Sequence, residues 1–272
     1  MKKENPTLIR LKYQQNNHLK ERILIMTTLS QITFQLNRQI KISNDGGSLS
    51  SDTGELIFRE FNEKLGFSDT WTKHLKLNDS RDYFIHSNEN LLRQKIYQMI
   101  AGYLEDDADH IITYPVFTQI LNTPALASQP SLSRFFKRFD QTSIQQLEQS
   151  NQELLDKVHS FRNSKALIFD LDSTHLDAYG HQGSISYNAY YRTVGFHPLV
   201  AFDGITGDFL KASLRSGNVY TSNGVVEFIQ PLIEHYNEKF LETSLLVRGD
   251  SGFAVPDLYE ICEKNLLIIS FA

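Results

Sequence analysis

The sequence predicts an α/β fold in which a mixed β-sheet follows a mostly helical N-terminal region. From about residue 50 to residue 162, apolar side chains recur every three or four positions, which is the spacing of one helix face. After Asn163 the apolar runs shorten and turn residues separate them, which is typical of strands. The later elements follow the order strand, strand, strand, helix, strand, helix, strand. Antiparallel strands followed by a right-handed crossover form a layered α/β domain.

Three helices of the N-terminal region are predicted from periodicity and capping residues. One begins after Ser87, which is a good N-cap residue, and a long one begins at Thr142. Between them, a short helix covers residues 130–139, where cations and phenylalanines are mixed. The phenylalanines are expected in the core. The cations of this helix are candidates for contact with DNA: Arg134, Lys137 and Arg138.

Five strands are predicted, at residues 166–174, 197–202, 209–215, 244–249 and 266–271. A helix capped by Asn223 and a second one at 255–265 connect the later strands, and Pro231 predicts a kink or an early break in the first. This order is the opening topology of ribonuclease-H-like nucleases, in which the first and fourth strands are neighbours. Acidic residues at the ends of these two strands are therefore expected to meet.

Both strands do end in acidic residues. Asp170 and Asp172 are two positions apart in the first strand, so they share a face, and Asp250 directly follows the fourth. Carboxylates brought together from neighbouring strands cannot both stay ionised without a large cost in free energy unless a cation is present. Oxygen ligands suit Mg²⁺ or Mn²⁺, ions that support phosphoryl transfer. The alternative is that one of these aspartates serves only as a turn or cap residue.

Eight short segments in a fixed order are more distinctive than any one of them alone. They are residues 90–94 (NLLRQ), 102–110 (GYLEDDADH), 128–134 (SQPSLSR), 170–174 (DLDST), 179–182 (YGHQ), 195–199 (GFHPL), 214–218 (LRSGN) and 248–253 (RGDSGF). With these segments the chain resembles, from about Asp82 to Ala272, the group-one DDE transposase domain of bacterial insertion sequences. The resemblance implies cleavage of DNA at transposon terminal inverted repeats and strand transfer into target DNA. It also implies three acids, divalent metal and a homo-oligomer that brings two ends together.

Carried over onto this sequence, the resemblance assigns Asp172 as the first catalytic and metal-binding acid and Asp250 as the second. Asp170 is the alternative for the first position. Arg215 and Arg248 would lie near DNA phosphates, although an arginine beside Asp250 could instead pair with that carboxylate.

The third acid of the family is a glutamate on a later helix, and no residue here matches it. Only 22 residues follow Asp250, and Glu260 and Glu263 lie on the helix directly after the fourth strand, which is the wrong element. The expectation from the sequence is therefore an incomplete, N-terminal portion of a transposase that lacks the third acid.

Charge is distributed unevenly along the chain. The net charge is −5, but residues 1–42 sum to +6 and the remainder to −11. A basic arm would suit DNA phosphates, and an acidic body would suit metal ions. The predicted organisation is a basic arm and linker at 1–47, a helical DNA-end-binding region at 48–163 and a ribonuclease-H-like core at 164–272.

The cellular setting is predicted from cysteine content and hydropathy. A single cysteine, Cys262, excludes a disulfide framework and favours a reducing cytoplasm. The resemblance to bacterial transposases implies that this is the bacterial cytoplasm, in association with the nucleoid. No apolar run approaches the roughly 18 residues of a membrane span, so no membrane partner is expected.

Two other functions fit parts of the sequence. A remnant that binds DNA without cutting it needs the basic residues and no third acid. A haloacid-dehalogenase-like phosphatase would use Asp170 as nucleophile and Asp172 as general acid. The phosphatase also needs an aspartate four or five residues after Asp250, where the sequence has Ala254 and Val255.

Overall fold

The computed structural model describes residues 52–271 and, before them, the backbone of four short strands. These strands are β1 (Leu8–Leu11), β2 (Arg22–Ile25), β3 (Ile32–Thr33) and β4 (Lys41–Ile42), and they pair antiparallel as β1–β2 and β3–β4. Apart from these strands, the predicted basic arm and linker at 1–47 lie outside the described residues. The chain divides into two compact units, residues 1–143 and 144–272.

From residue 52 onward, the first unit is built from short helices. They are α1 (Glu55–Leu65), α2 (Phe67–His74), α3 (Asn88–Ile100), a 3₁₀ turn (Asp106–Asp109), α4 (Pro115–Leu121) and α5 (Gln129–Phe136). The predicted cap of α3 is confirmed, since Ser87 Oγ accepts a hydrogen bond from the Asn90 backbone N–H at 3.2 Å. Gly66 separates α1 from α2 with φ of 65°, a left-handed conformation in which glycine pays no steric penalty.

Aromatic and aliphatic side chains form two buried clusters in this unit. One centres on Tyr97 and Phe117, and the other on Leu91, Leu132 and Phe135. Phe135 of the predicted basic helix is therefore in the core, as expected, whereas 38% of Phe136 is exposed.

A long helix, α6 (Gln141–Arg162), begins in the first unit and continues into the second. Its start is fixed by a reciprocal cap. The Ser143 N–H donates to Asp140 Oδ1 at 2.8 Å, and the Asp140 N–H donates to Ser143 Oγ at 3.1 Å.

The second unit contains eight strands and two further helices among its described residues. In chain order they are β5 (Ala166–Ser173), β6 (Leu176–Asp177), β7 (Ser186–Asn188), β8 (Thr193–Phe196), β9 (Leu199–Asp203), β10 (Phe209–Ser213), α7 (Val225–Lys239), β11 (Ser244–Gly249), α8 (Pro256–Lys264) and β12 (Ile268–Phe271).

The main sheet has the order β10-β9-β5-β11-β12. Strand β9 is antiparallel to β5 and β10, whereas β11 is parallel to both β5 and β12. The first and fourth strands of this sheet are thus neighbours, and the predicted ribonuclease-H-like mixed sheet is confirmed. A separate small sheet has the order β6-β8-β7.

One face of the main sheet is covered by helices. Leu167, Phe169 and Leu171 are buried in a cluster that includes side chains of α6, α7 and α8. The intervening Asp170 is half-buried and Asp172 is exposed, so the two aspartates project from the opposite face of β5. This alternation separates the hydrophobic core of the unit from its acidic groups.

In the helix after β10, the predicted cap residue is wrong and Pro231 does not cause an early break. Gly224, with φ of 74°, occupies the cap position expected for Asn223, and α7 continues without a break through Pro231. Proline removes one helical N–H, but Pro231 is exposed, so its ring meets water instead of a packed neighbour. No helix of the described residues combines the length and apolar character needed to cross a membrane.

Candidate active site

The parallel pairing of β5 with β11 brings two exposed aspartates to one end of the sheet. Arg248 lies opposite Asp170 in the register of the two strands. Two residues further along each strand come Asp172 and Asp250, both exposed. Both carboxylates therefore stand at the carboxyl ends of neighbouring parallel strands, as the sequence predicts.

The contacts around Asp170 and Asp172 differ. Arg248 donates to both oxygens of Asp170, from Nε to Oδ1 at 2.8 Å and from a terminal nitrogen to Oδ2 at 2.5 Å. This bidentate pair raises the pKa of Arg248 above its usual value. Among the described residues, Asp172 makes only a local bond, in which Oδ1 accepts from the Ser173 N–H at 2.7 Å. Asp172 thus has more free acceptor capacity than Asp170.

A glycine allows the Asp250 loop to close over the end of the sheet. A Cβ on Gly249 would lie 2.9 Å from the Phe253 ring and 3.5 Å from the carbonyl oxygen of Leu171. Asp250 itself caps the short turn Ser251–Phe253, since Oδ1 accepts from the Gly252 N–H at 2.8 Å. Its other oxygen has no partner in the part of the chain that the structure describes.

A cavity of about 620 Å³ in the first unit is lined by cations. Arg81 is fixed by Asp79, whose Oδ1 and Oδ2 accept from the guanidinium at 2.8 and 2.6 Å, and this pairing holds the pKa of Asp79 well below its usual value. Arg138 donates to Asn88 Oδ1 at 2.6 Å. The cationic lining residues are Arg81, Arg134, Lys137 and Arg138.

A second cavity, of about 590 Å³, adjoins Asp250 in the second unit. Its polar lining includes Ser173, His197 and Thr221, and tyrosines of the small sheet and nearby loops complete it. These tyrosines are at least 43% exposed and are Tyr187, Tyr190, Tyr191 and Tyr220.

Asn188 organises the tyrosine-lined wall of this cavity. Its Nδ2 donates to the Gly217 carbonyl at 2.7 Å, and its Oδ1 accepts from the N–H groups of Tyr190 and Tyr191 at 3.0 and 3.1 Å. Tyr191 also stacks on His175, with ring centres 4.9 Å apart. The aromatic wall is therefore held by a buried amide.

Residues 32–271 match the model of the family described as transposase DDE domain group 1. The chain belongs to this family. The match extends from β3 to β12, so it includes most of both units of the chain.

Solved transposase structures resemble this domain at low identity. The synaptic complex of piggyBac transposase with hairpin DNA is 15% identical with a TM-score of 0.35, and the match covers 78% of this chain and 50% of that chain. The Mos1 paired-end complex with left transposon end is 9% identical with a TM-score of 0.28, covering 83% and 69%. The chain thus spans half the length of the piggyBac protein. A search of curated proteins found no match.

Arg215 and Arg248, the other two arginines predicted to contact DNA, donate hydrogen bonds to groups within the transposase domain. Arg215 donates to the carbonyl oxygens of His197, Thr221 and Asn223 at 3.0, 3.0 and 2.7 Å, and burial lowers its pKa. Arg248 is held by Asp170. Contact of either arginine with DNA stays a prediction, and their visible role is to fix the loops around the site.

Asp172 and Asp250 stand at the ends of neighbouring strands, and among the described residues neither belongs to a group of three potential ligand atoms. In the described part of the chain, one group of three potential ligand atoms lies within 4.8 Å of one another. It consists of His159 on α6, Asp203 at the end of β9 and Asp208 just before β10. Glu260 and Glu263 lie on α8, as expected. The antiparallel strands β9 and β10 also differ from the doubly wound sheet that the phosphatase alternative requires.

The small sheet and the full tyrosine lining of the cavity were not predicted from the sequence. Strands β6, β7 and β8 are two to four residues long and carry no clear alternation of apolar and polar side chains. The available signal was the concentration of tyrosines between 179 and 191, together with glycines at 195 and 217 that permit close backbone approach.

Proposed function

We propose that this chain is the DNA-end-binding and acid-bearing portion of a DDE-type transposase. Asp172 and Asp250 would serve as two ligands of the catalytic metal, Mg²⁺ or Mn²⁺. The observation that supports this most directly is the parallel pairing of β5 with β11, which puts these two exposed carboxylates at the same end of the sheet. Metal-dependent cleavage of transposon ends and strand transfer would be activities of the complete protein.

The two acids fit a hard divalent cation in donor type. Each is exposed and keeps at least one oxygen without a partner among the described residues, whereas both oxygens of Asp170 are taken by Arg248. When bound, such an ion activates a water or 3′-hydroxyl and stabilises the charge of an in-line phosphoryl transfer. Two carboxylates alone bind Mg²⁺ weakly because it prefers six oxygen ligands, so a further acid would tighten the site.

The tyrosine-lined cavity would receive the DNA end. Aromatic rings stack on bases irrespective of sequence, and each such contact is worth about 1–3 kcal/mol. Tyr187, Tyr190 and Tyr191 offer exposed rings beside Asp250. Bases near the reacting phosphate would thus be held by stacking, while Asp172 and Asp250 would face the sugar–phosphate backbone of the DNA.

The cationic cavity of the first unit would hold DNA phosphates further from the cut. Arg134 and Lys137 are exposed there and Arg138 is half-buried, and guanidinium and ammonium groups are the usual phosphate donors. Residues 48–163 would then form the end-binding region and residues 164–272 the catalytic core. The similar solved structures contain transposon ends or hairpin DNA, and we propose that this protein likewise acts on terminal inverted repeats, as a homo-oligomer.

The test measures Mn²⁺ binding to the purified chain by electron paramagnetic resonance. Asp172→Asn and Asp250→Asn should each weaken Mn²⁺ binding by more than about tenfold, because each removes a charged ligand. Asp170→Asn should have a much smaller effect. Asp257→Asn, which neutralises another exposed aspartate of the same unit, is the matched control. Equal effects of Asp170→Asn and Asp172→Asn would contradict the assignment.

A non-catalytic DNA-binding role is the second candidate. It is favoured by the cationic cavity, which needs no metal, and by the lack of a third acid beside Asp172 and Asp250 in the described part of the chain. Mobility shift on inverted-repeat DNA in EDTA, with no Mg²⁺-dependent nicking even by a longer protein that supplies further acids, would support it over catalysis.

A further inference from the structure

A second cluster of potential metal ligands lies away from Asp172 and Asp250. His159 belongs to the last turn of α6, Asp203 ends β9, and Asp208 precedes β10. One ligand atom from each residue lies within 4.8 Å of the other two. Asp203 pairs with Phe169 across the sheet whereas Val200 pairs with Asp172, so the cluster is about 10 Å along β5 from the candidate active site.

His159 presents a buried nitrogen to this cluster. The side chain is 3% exposed, and Nε2 has no hydrogen-bond partner among the described residues. The nearest carboxylate oxygen, Oδ2 of Asp208, is 3.9 Å from Nε2, which is too far for a hydrogen bond. Buried polar atoms in folded proteins nearly always have a partner, so this nitrogen is available to a water or to an ion.

Asp203 is buried and is held rigidly by the β9–β10 turn. Its Oδ1 accepts from the N–H groups of Ile205 and Ile168 at 3.0 and 3.3 Å, and its Oδ2 accepts from Thr206 Oγ1 at 2.7 Å. A carboxylate has about four acceptor sites, so one remains. The oxygen atoms are therefore oriented before any ion arrives.

Asp208 is paired with an exposed arginine side chain that can turn away. Arg162 donates to Asp208 Oδ2, the same oxygen that faces His159, and the Arg162 side chain is 42% exposed. A flexible, solvent-exposed guanidinium can turn outward and release this oxygen. Arg162 thus balances the negative charge of Asp208 when no metal ion is bound.

We propose that His159, Asp203 and Asp208 form a site for a transition-metal dication, with Zn²⁺ as the probe. One imidazole and two carboxylates form a mixed nitrogen and oxygen donor set that suits Zn²⁺ and that Mg²⁺ does not favour. The site also lies at the C-terminal end of α6, where the helix dipole attracts cations. The bound ion would join α6 to the β9–β10 turn and so stabilise the second unit.

The test is calorimetric titration of the purified chain with Zn²⁺ in excess Mg²⁺, which would compete with Zn²⁺ for the oxygen-only pair Asp172 and Asp250. His159→Leu should weaken Zn²⁺ binding by more than about tenfold. Arg162→Gln should strengthen it severalfold, since it removes the competing cation. His235→Gln is the matched control: His235 also bonds an aspartate, Asp156, at 2.8 Å, but lies in no three-ligand group of the described residues.

The opposite effects of the two variants separate a metal site from a structural ion network. If the cluster were only a network, Arg162→Gln would lower the melting temperature and leave Zn²⁺ binding unchanged, and this result would overturn the proposal. Asp208→Asn, at a half-buried position, replaces His159→Leu if that variant does not fold, and should likewise abolish tight binding. Zn²⁺ binding should persist in Asp172→Asn, so failure of the proposed transposase site would leave this result unaffected.

Discussion

Three side chains converge on the carboxylate of Asp156. Lys239 Nζ donates to Oδ2 at 2.6 Å, and His235 Nε2 and Gln152 Nε2 lie 2.8 and 3.0 Å from Oδ1. Burial acts to raise the pKa of Asp156, but these hydrogen bonds outweigh it, and the net pKa is lowered. The ionised form is therefore bound more strongly in the folded protein than in the unfolded chain.

Stability from Asp156 should depend on pH in a defined direction. Because the folded pKa is below the unfolded value of about 3.9, the contribution is complete above that value and is lost as pH falls through the folded pKa. Asp156→Asn should lower the free energy of unfolding by about 1–3 kcal/mol at pH 7. The difference from the wild type should shrink below pH 4, as measured by urea denaturation across the pH range. A difference that grows on acidification would contradict this account.

Asp170 and Asp172 illustrate what a sequence can say about single residues. Their spacing predicts a shared face of one strand, and the structure agrees. The sequence offers no means to choose between them, because the choice depends on which side chain stands opposite in β11. That side chain is Arg248, and it is set by strand register. Likewise, the group of His159, Asp203 and Asp208 joins distant positions and leaves no local motif.

The helices and strands of the main sheet could be predicted because each carries its own signal. Strand β5 has buried Leu167, Phe169 and Leu171 at alternate positions, and α7 has buried residues at helical spacing. Strands β6, β7 and β8 depend instead on contacts that form only after folding. Asn188, for example, bonds Gly217, which is 29 positions away in the chain.

Helix α7 contains a testable weak point at Pro231. An interior proline removes a hydrogen bond and crowds the preceding turn, at a cost of roughly 3 kcal/mol relative to alanine. Pro231 is exposed and packs in no hydrophobic cluster of the described residues. We expect Pro231→Ala to raise the free energy of unfolding by about 1–3 kcal/mol.

Urea denaturation measures the effect, and Gln230→Ala, on the same helix, controls for a general gain in helix propensity. A loss of stability on Pro231→Ala would indicate that the proline is needed for the shape of α7.

For the whole molecule, the chain order alone separates a helical unit from a sheet-containing unit. The switch in hydrophobic period near Asn163 predicts a helical region at 48–163 and a sheet-containing core at 164–272, and the strand order follows from general rules of chain connection. The described units are 1–143 and 144–272, with α6 extending from one into the other. A helix that crosses a unit boundary has one continuous period, so periodicity cannot locate such a boundary.

The cationic cavity should set the salt dependence of DNA binding. The double variant Arg134→Gln, Lys137→Gln should weaken binding to all DNA sequences and reduce the slope of log K against log salt by about two. Lys157→Gln with Lys165→Gln, which removes the same charge from exposed positions of the second unit, should change the slope less. Fluorescence anisotropy at several salt concentrations measures both. Equal slopes for the two double variants would place the DNA elsewhere.

The parallel register of β5 and β11 has a consequence for how this protein can tolerate changes in length. Side chains alternate between the two faces of a strand, so a shift of β11 by one residue would turn Asp250 away from Asp172. A single inserted or deleted codon inside 166–172 or 244–250 would therefore misplace one acid. The loop at 180–185 lies between strands of the small sheet and can vary in length without moving either acid. Surviving relatives should accordingly differ in length in that loop and keep both strands intact.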